Sequence, residues 1–292
     1  MENNKSKELK LIISDGTVWG LSATESIQGW LDELAQIMKL RISDDIKSTR
    51  KILFIARNTN DLPDSINEDW NTYKQGTVYR IWYKDEIPEF FVELNTNFID
   101  HPEIRYINMW STLKAIFRYY VDRSGGPLHC ACAELDKKLI LIAAGGGTGK
   151  STCISRLPSY WSPLSDDNAL VVKDPDNNYR VHPMPTWSDH LWKVRDSSVD
   201  ASYSCPLHSI FFLIQSHRDK VNLLNSAQAT LLIHTSFSQV WGAFFSKLKK
   251  QEKSEMSQKL FESASNIANK IPCYQLEATL TGRFWEKIEE VI

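Results

Sequence analysis

The chain has 292 residues, of which 42% are hydrophobic, enough for a sizeable core in one large domain or two modest ones. Its 34 basic and 36 acidic residues give a formal net charge of −2, which argues against a strongly basic nucleic-acid binder. No apolar run approaches the ~20 residues that cross a bilayer, and the amino terminus lacks a hydrophobic signal core. We therefore expect a cytoplasmic protein with no nucleic-acid or membrane partner, whose five scattered cysteines are free thiols.

The first 122 residues predict a small N-terminal α+β domain. Ser22 and Glu25 match a capping box, and apolar residues at helical spacing follow them up to Met38. A second helical stripe includes Trp110 and Tyr120. Short apolar runs predict four strands, at residues 10–16, 51–57, 77–83 and 89–94. One of the last two could present an open sheet edge, so this domain is a possible peptide-binding unit.

Residues 123–292 predict a second domain, which follows the Gly125-Gly126-Pro127 break. A continuous apolar run at 138–144 is typical of a strand buried on both faces. Helices are expected at 227–235, 260–268 and 284–292, together with a short helix that must end before Pro158. Further strands are expected at residues 128–135, 168–173, 209–215 and 221–224.

The most specific motif is AAGGGTGKST at residues 143–152, between the buried strand and the start of the short helix. Its glycines permit a backbone whose N–H groups converge on an anion, and the helix start adds its positive dipole end. Lys150 can reach the β- and γ-phosphates, and Ser151 can supply a hydroxyl to Mg²⁺. The strict phosphate-loop pattern requires glycine at position 144, where this chain has alanine, which is tolerable if its φ is negative.

Two adjacent carboxylates, Asp166 and Asp167, begin 16 residues after Lys150. One can hold Mg²⁺ while the other accepts a proton from an attacking hydroxyl group. Because neighbouring carboxylates titrate together, the sequence leaves open which of them is the base. An exposed Asp-Asp turn is the alternative interpretation.

His129 precedes the loop, in the sequence HCAC. A single histidine beside a strand is commonly structural. Alternation along a strand sends His129 and Cys130 to opposite faces, and no second Cys/His cluster completes a zinc site. We therefore expect no thiol-ligated metal here.

His129, the glycine loop and the Asp166-Asp167 pair, in this order, resemble the HPr kinase/phosphorylase family. The resemblance covers about residues 125–292, and within it the segments AAGGGTGKSTC, PLSDDNALVV and HPMPTW are similar to the ScmC proteins of SynChlorMet peptide cassettes. It implies an α/β fold, with a P-loop mixed sheet like the HPr kinase C-terminal domain. That fold is related to phosphoenolpyruvate carboxykinase, and here it would follow the small N-terminal domain of residues 1–122.

The resemblance also implies roles for individual residues. Lys150 would stabilise the transferring phosphoryl group, and His129 would lie close to that group and could donate a hydrogen bond. Ser151 and one of Asp166 and Asp167 would hold Mg²⁺, and the other aspartate would deprotonate the acceptor. The nucleotide phosphates would contact the loop residues Gly145, Gly146, Gly147, Thr148, Gly149, Lys150, Ser151 and Thr152.

The sequence departs from the pattern of that family at positions that bear on the expected activity. Ala144 replaces a glycine, Ser165 stands where alanine usually precedes the two aspartates, and the glycine-rich phosphorylase segment has no counterpart. Residues 181–192, which carry His182, Trp187 and His190, are either an acceptor-side segment or a connection whose tryptophans fill the core.

The sequence thus predicts a kinase that uses ATP and Mg²⁺ to phosphorylate a hydroxyl, with the serine of a ribosomally made peptide as the expected acceptor. Two alternatives remain: a kinase for a small molecule such as a free hydroxy amino acid, and a nucleotide-binding peptide scaffold without catalysis. A GTPase switch is disfavoured, because Pro272 stands where the guanine-reading motif needs aspartate. The oligomeric state is left open.

Overall fold

The computed structural model describes residues 8–57, 62–64, 66–67, 69–75, 78–84, 86–192, 198–245, 248 and 250–292. The chain forms two compact units: Met1–Ile116 with Trp187–Ser202, and Phe117–Thr186 with Tyr203–Ile292. This division differs from the single predicted boundary after residue 122. The segment Trp187–Ser202 returns to the first unit, where Val199 N–H donates to the Ile37 carbonyl at 2.9 Å.

The first unit contains a seven-stranded mixed sheet in the order β3-β1-β2-β4-β7-β6-β5. Its strands are β1 Leu9–Ile12, β2 Val18–Ala23, β3 Arg41–Ile42, β4 Arg50–Ala56, β5 Asn71–Gln75, β6 Tyr79–Tyr83 and β7 Glu89–Leu94. All four predicted strands are present. However, β6 and β7 lie inside the sheet, so the prediction that one of them offers an open edge is wrong. The edge strands are β3 and β5.

The helices that begin in the first unit are α1 Gln28–Met38, α2 Pro102–Thr112, α3 Lys114–Val121 and α5 Trp187–Trp192. The buried face of α1 includes Trp30, Leu34 and Met38, which confirms the predicted stripe. The capping box is wrong: Ser22 lies in β2, and Thr24 precedes the helical turn without a side-chain cap. The single helix expected around residues 110–120 is two helices, α2 and α3.

The second unit contains a nine-stranded mixed sheet in the order β11-β9-β10-β14-β13-β12-β8, with β16 beside β14 and β15 beside β16. Its strands are β8 Gly126–Leu128, β9 Cys130–Leu135, β10 Lys138–Ala143, β11 Ser162–Ser165, β12 Ala169–Lys173, β13 Tyr179–Pro183, β14 Cys205–Gln215, β15 Lys220–Leu223 and β16 Cys273–Ala278. Its helices are α4 Lys150–Ser155, α6 Ser226–Phe245, α7 Lys250–Ala268 and α8 Phe284–Glu289.

Three parallel neighbours, β10, β14 and β16, form the centre of this sheet. The residues of β10 after Lys138 are at most 1% exposed, as expected of a strand covered on both faces. Parallel strands direct their carboxyl ends to the same edge, so the loops after β10, β14 and β16 are neighbours there. This edge carries the glycine-rich loop.

The chain is therefore an α/β protein with mixed sheets, as predicted at that level. The five cysteines are buried free thiols, which agrees with their scattered positions. Among the described helices, none combines the length and the apolarity that crossing a bilayer requires.

Candidate functional site

The glycine-rich loop occupies residues 144–149, between β10 and α4. Gly147 and Gly149 have φ angles of 74° and 106°, a region that side chains disfavour, so both positions require glycine. Ala144 is not among the described residues with positive φ, which explains why a methyl group is tolerated there. A Cβ on Gly147 or Gly149 would meet nothing within 4 Å, so the space beside these two glycines is open.

Lys150 begins α4, and its side chain folds back under the loop with only 7% of its surface exposed. The Nζ donates to the carbonyls of Ala144 and Gly145 at 3.0 and 3.4 Å. It also lies 2.9 Å from Nε2 of His129. The three N–H groups of the ammonium therefore have three acceptors.

The contact with Lys150 defines the tautomer of His129. An ammonium group only donates, so Nε2 of His129 must accept, and Nδ1 carries the proton. Nδ1–H then donates to the Asp167 carbonyl at 2.9 Å. The carboxylate of Asp167 lies 3.7 Å from the same nitrogen. One imidazole thus links the loop lysine to the aspartate pair.

Burial, and then the charge of Lys150, lower the pKa of His129 below its usual 6.5, so the ring is neutral at pH 7. Burial also lowers the pKa of Lys150, while negative charge on Cys130, Asp167 and Asp166 acts in the opposite direction. Because burial raises the pKa of Cys130 well above its ordinary value, that thiol is neutral. The two aspartates are the effective counter-charges of Lys150.

The Asp166-Asp167 pair lies in the turn between β11 and β12. Asp166 N–H donates to the Thr186 hydroxyl at 3.1 Å, and the Ser165 hydroxyl donates to the Asn168 carbonyl at 3.2 Å. These bonds fix the backbone on both sides of the pair. Thr186 is a site residue that the sequence analysis did not identify.

The predicted site residues come together on the second unit. The structure brings His129, Lys150 and Asp167 into contact, and Asp166 is adjacent. Ser151 and Thr152 are exposed at the first turn of α4, on the chain directly after the loop.

Ser236, in the middle of α6, holds the backbone of His129 from both sides. Its hydroxyl donates to the His129 carbonyl at 3.1 Å, and its own carbonyl accepts from His129 N–H at 3.4 Å. The two residues are 107 positions apart, so no local sequence signal could have indicated this contact.

A cleft of about 700 Å³ opens beside the loop. Its floor includes Gly147, Gly149 and Thr152, and its walls are the carboxyl ends of β14 and β16. A volume of this size is typical of small-molecule sites.

The predicted acceptor-side segment is divided between the two units. His182 is fully buried in β13 of the second unit, whereas Trp187 and His190 belong to α5 of the first. Trp192 is 67% exposed.

No cluster of three or more His, Cys, Asp or Glu side chains suited to a metal occurs in the part of the chain that the structure describes. Mg²⁺ does not need such a cluster, since proteins usually hold it through one or two carboxylates together with substrate phosphates and water. Ser151, Asp166 and Asp167 offer the oxygen ligands that this mode of binding uses.

The fold and the site define an α/β protein in which a glycine-rich loop between a buried strand and a helix holds a lysine against a histidine and an aspartate. The sequence model of the SynChlorMet cassette protein ScmC matches residues 93–292. The chain therefore belongs to the ScmC family. The match includes all of the second unit and, in the first, residues 93–116 and Trp187–Ser202. A search of curated proteins gave no match.

Proposed function

We propose that this protein is an ATP-dependent kinase that transfers the γ-phosphoryl group to a hydroxyl group, that of a serine in a ribosomally made peptide. We further propose that its second unit has the P-loop fold of HPr kinases. One observation carries the proposal: Lys150, at the end of the glycine loop, contacts His129, which contacts Asp167. A turn without a ligand would not require this chain of polar contacts, in which Lys150 is buried and His129 and Asp167 are partly exposed.

The loop suits the phosphates of a nucleotide. Open space lies beside Gly147 and Gly149, and backbone N–H groups in such a loop can converge on an anion. Lys150 provides the positive charge, and its bonds to the carbonyls of Ala144 and Gly145 keep the ammonium at the loop before phosphate arrives. When a phosphate oxygen replaces a carbonyl oxygen as the acceptor of one of these bonds, the free-energy cost is small, because the ammonium group exchanges one acceptor for another.

The aspartate pair can serve as the base that takes the proton of the acceptor hydroxyl group. In the transfer, the acceptor oxygen forms a bond to the γ-phosphorus, and the bond between that phosphorus and the β,γ-bridging oxygen breaks. The acceptor's proton passes to a carboxylate oxygen of Asp166 or Asp167, and the electron pair of the broken bond remains on ADP. Bound Mg²⁺ would neutralise charge on the phosphates, with Ser151 and the other carboxylate as its protein ligands.

His129 orients the reacting groups. Its neutral ring accepts from Lys150 and donates to the Asp167 backbone, so the lysine and the aspartate pair keep a fixed separation. Phosphoryl transfer depends mainly on positioning and charge neutralisation, and this is the contribution that a neutral bridging imidazole can make.

The proposal that the acceptor is a peptide depends on the family to which the chain belongs. The family is described as a cassette protein, which supports an acceptor encoded in the same gene cassette.

The test is mass spectrometry of the cassette's peptide after incubation with the full chain, ATP and Mg²⁺. The proposal expects a gain of about 80 Da, one phosphoryl group, on a single serine. Phosphorylation of free serine instead, with the peptide unchanged, would identify a small-molecule kinase. ATP binding without transfer to either would contradict the enzyme and support a nucleotide-binding scaffold.

A further inference from the structure

The cleft beside the glycine loop is lined by residues of the loop and of α4 but not by Lys150. From Gly147 and Gly149 it continues between two strand ends, and its far side is formed by Ala278, Thr279 and Leu280. A nucleotide whose phosphates lie on the loop must direct its nucleoside into some adjoining space. This cleft adjoins the loop, and its volume of about 700 Å³ is within the range of small-molecule sites.

The wall formed by residues 279–282 is held rigidly. The Arg156 guanidinium donates to the Thr279 carbonyl at 2.8 Å and to the Gly282 carbonyl. The Asp219 carboxylate accepts from Thr279 N–H at 2.7 Å. Gly282 packs so closely that an added Cβ would overlap the Asp219 carboxylate. A preorganised wall loses little entropy when a ligand binds.

Four of the polar side chains that line the cleft have partners within the protein, and Thr148, Thr152 and His217 line it as well. The Gln215 amide donates to the Thr148 carbonyl at 3.3 Å, and the Ser216 hydroxyl donates to Glu277 at 3.2 Å. The Thr279 hydroxyl accepts from Gly282 N–H at 2.7 Å, and Arg156 is bound to the wall itself.

The cleft also offers apolar groups for contact with a ligand. Leu213 and Ala278 line the cleft, and Leu280 projects from its rim with 77% of its surface exposed. A leucine that exposed, on a loop held by four hydrogen bonds, is in position to cover a planar ring.

We propose that this cleft binds the nucleoside of the purine nucleotide, and that the base is held by apolar contact with little discrimination between adenine and guanine. The inference rests on the proposed function for the presence of a nucleotide. A site built to hydrogen-bond one base rejects the other by a factor of 10⁴ or more, whereas an apolar pocket separates similar ligands by only about 10- to 200-fold.

The test is calorimetric titration of the full chain with Mg·ATP, Mg·GTP and Mg·tripolyphosphate. Leu280→Ser removes the rim contact, and Leu223→Ser is its matched control, because Leu223 is 71% exposed on β15 and does not line the cleft. We expect the wild-type affinities for ATP and GTP to agree within about tenfold. Leu280→Ser should weaken both nucleotides about tenfold, the effect of losing one leucine contact, and leave tripolyphosphate unchanged. Leu223→Ser should change none of the three.

Failure of this inference is distinguishable from failure of the proposed function. If ATP binds and Leu280→Ser has no more effect than Leu223→Ser, the nucleoside lies elsewhere. A preference for ATP over GTP of more than about a thousandfold would mean that hydrogen bonds read the base. Either result would overturn the inference about the cleft, but the proposal that the glycine loop binds a nucleotide would stand. If the wild type binds neither ATP nor tripolyphosphate, the loop does not hold phosphate, and both proposals fail.

Discussion

Lys114, the first residue of α3, is a buried cation whose removal should stabilise the protein. Its side chain is 2% exposed, and burial lowers its pKa from 10.5 to about 8. The Nζ lies 5.0 Å from the centroid of the Trp110 ring. Asn108 and Ser111, on the preceding helix, also have buried polar atoms without a hydrogen-bond partner. This environment favours the neutral amine, yet the amine is protonated at pH 7.

The free-energy cost of burying the charged lysine follows from the difference between its pKa values in the unfolded and the folded protein. About 2.5 pH units between the unfolded and folded values correspond to about 3 kcal/mol at pH 7. Lys114→Met keeps the length of the side chain and removes the charge. It also loses a cation–π contact worth about 0.5–1 kcal/mol, so the expected net gain in the free energy of unfolding is about 2–3 kcal/mol. Because the folded pKa is the lower one, the penalty is complete below about pH 8 and fades as the pH rises towards 10.5.

Urea unfolding at pH 7 and at about pH 10 measures this gain. The advantage of Lys114→Met should shrink to about 1 kcal/mol or less at the higher pH. Lys253→Met, at an exposed position on α7, is the control and should gain nothing at either pH. A Lys114→Met protein no more stable than wild type at pH 7 would refute the reasoning, because the lysine would then have a compensating partner.

Three other variants test the site and its framework. Lys150→Ala should weaken Mg·ATP binding by about a hundredfold or more, through loss of a charged contact, without lowering the thermal midpoint. Since the pKa of His129 is lowered, its neutral ring stabilises the fold above pH 6.5, and this contribution is lost as the pH falls through the folded value. The wild type should therefore lose more stability than His129→Gln between about pH 7 and pH 5. Gly125→Ala would place a Cβ 2.5 Å from the Val171 carbonyl and should destabilise by about 1–3 kcal/mol.

Each of these expectations has a contrary outcome. Unchanged ATP affinity in Lys150→Ala would mean that the lysine does not contact the nucleotide. If the stability of the wild type and of His129→Gln changed equally with pH, His129 would have the same pKa in the folded and the unfolded protein. Gly29→Ala serves as the control for Gly125→Ala, since Gly29 lies within α1 with open space around it. It should stabilise by about 0.5–1 kcal/mol, and equal losses in the two variants would contradict the steric argument.

Local patterns were sufficient to predict which residues the structure brings together in the candidate site. The apolar run of β10, the glycines, and Lys150 with Ser151 are contiguous, so strand, loop and helix could all be predicted from one stretch of chain. The Asp166-Asp167 pair could be placed near the loop only because the chain between them is short. The capping box at Ser22 and Glu25 matched a pattern, but pairing of β2 with β1 and β4 kept Ser22 in a strand.

Long-range contacts were outside the reach of the sequence. Pairing between distant strands decides which strand is an edge, and β5, which has few apolar residues, covers β6. The return of Trp187–Ser202 to the first unit involves backbone bonds to Ile37 and Met38 and side-chain bonds such as that between Arg41 and Asp200, all between segments far apart in the chain. The support of His129 by Ser236, and the cleft wall at Thr279, likewise arise only when distant segments meet.

In the proposed function, Lys150, His129 and the aspartate pair serve phosphoryl transfer. The most direct measurement is the rate at which the full chain moves the γ-phosphoryl group of labelled ATP to the cassette's peptide, compared with the Asp166→Asn/Asp167→Asn variant. We expect transfer to one serine by the wild type and a loss of at least about a hundredfold in the variant, which removes the base without changing side-chain size. Transfer at equal rates by both proteins, or none by the wild type, would contradict this role of the four residues.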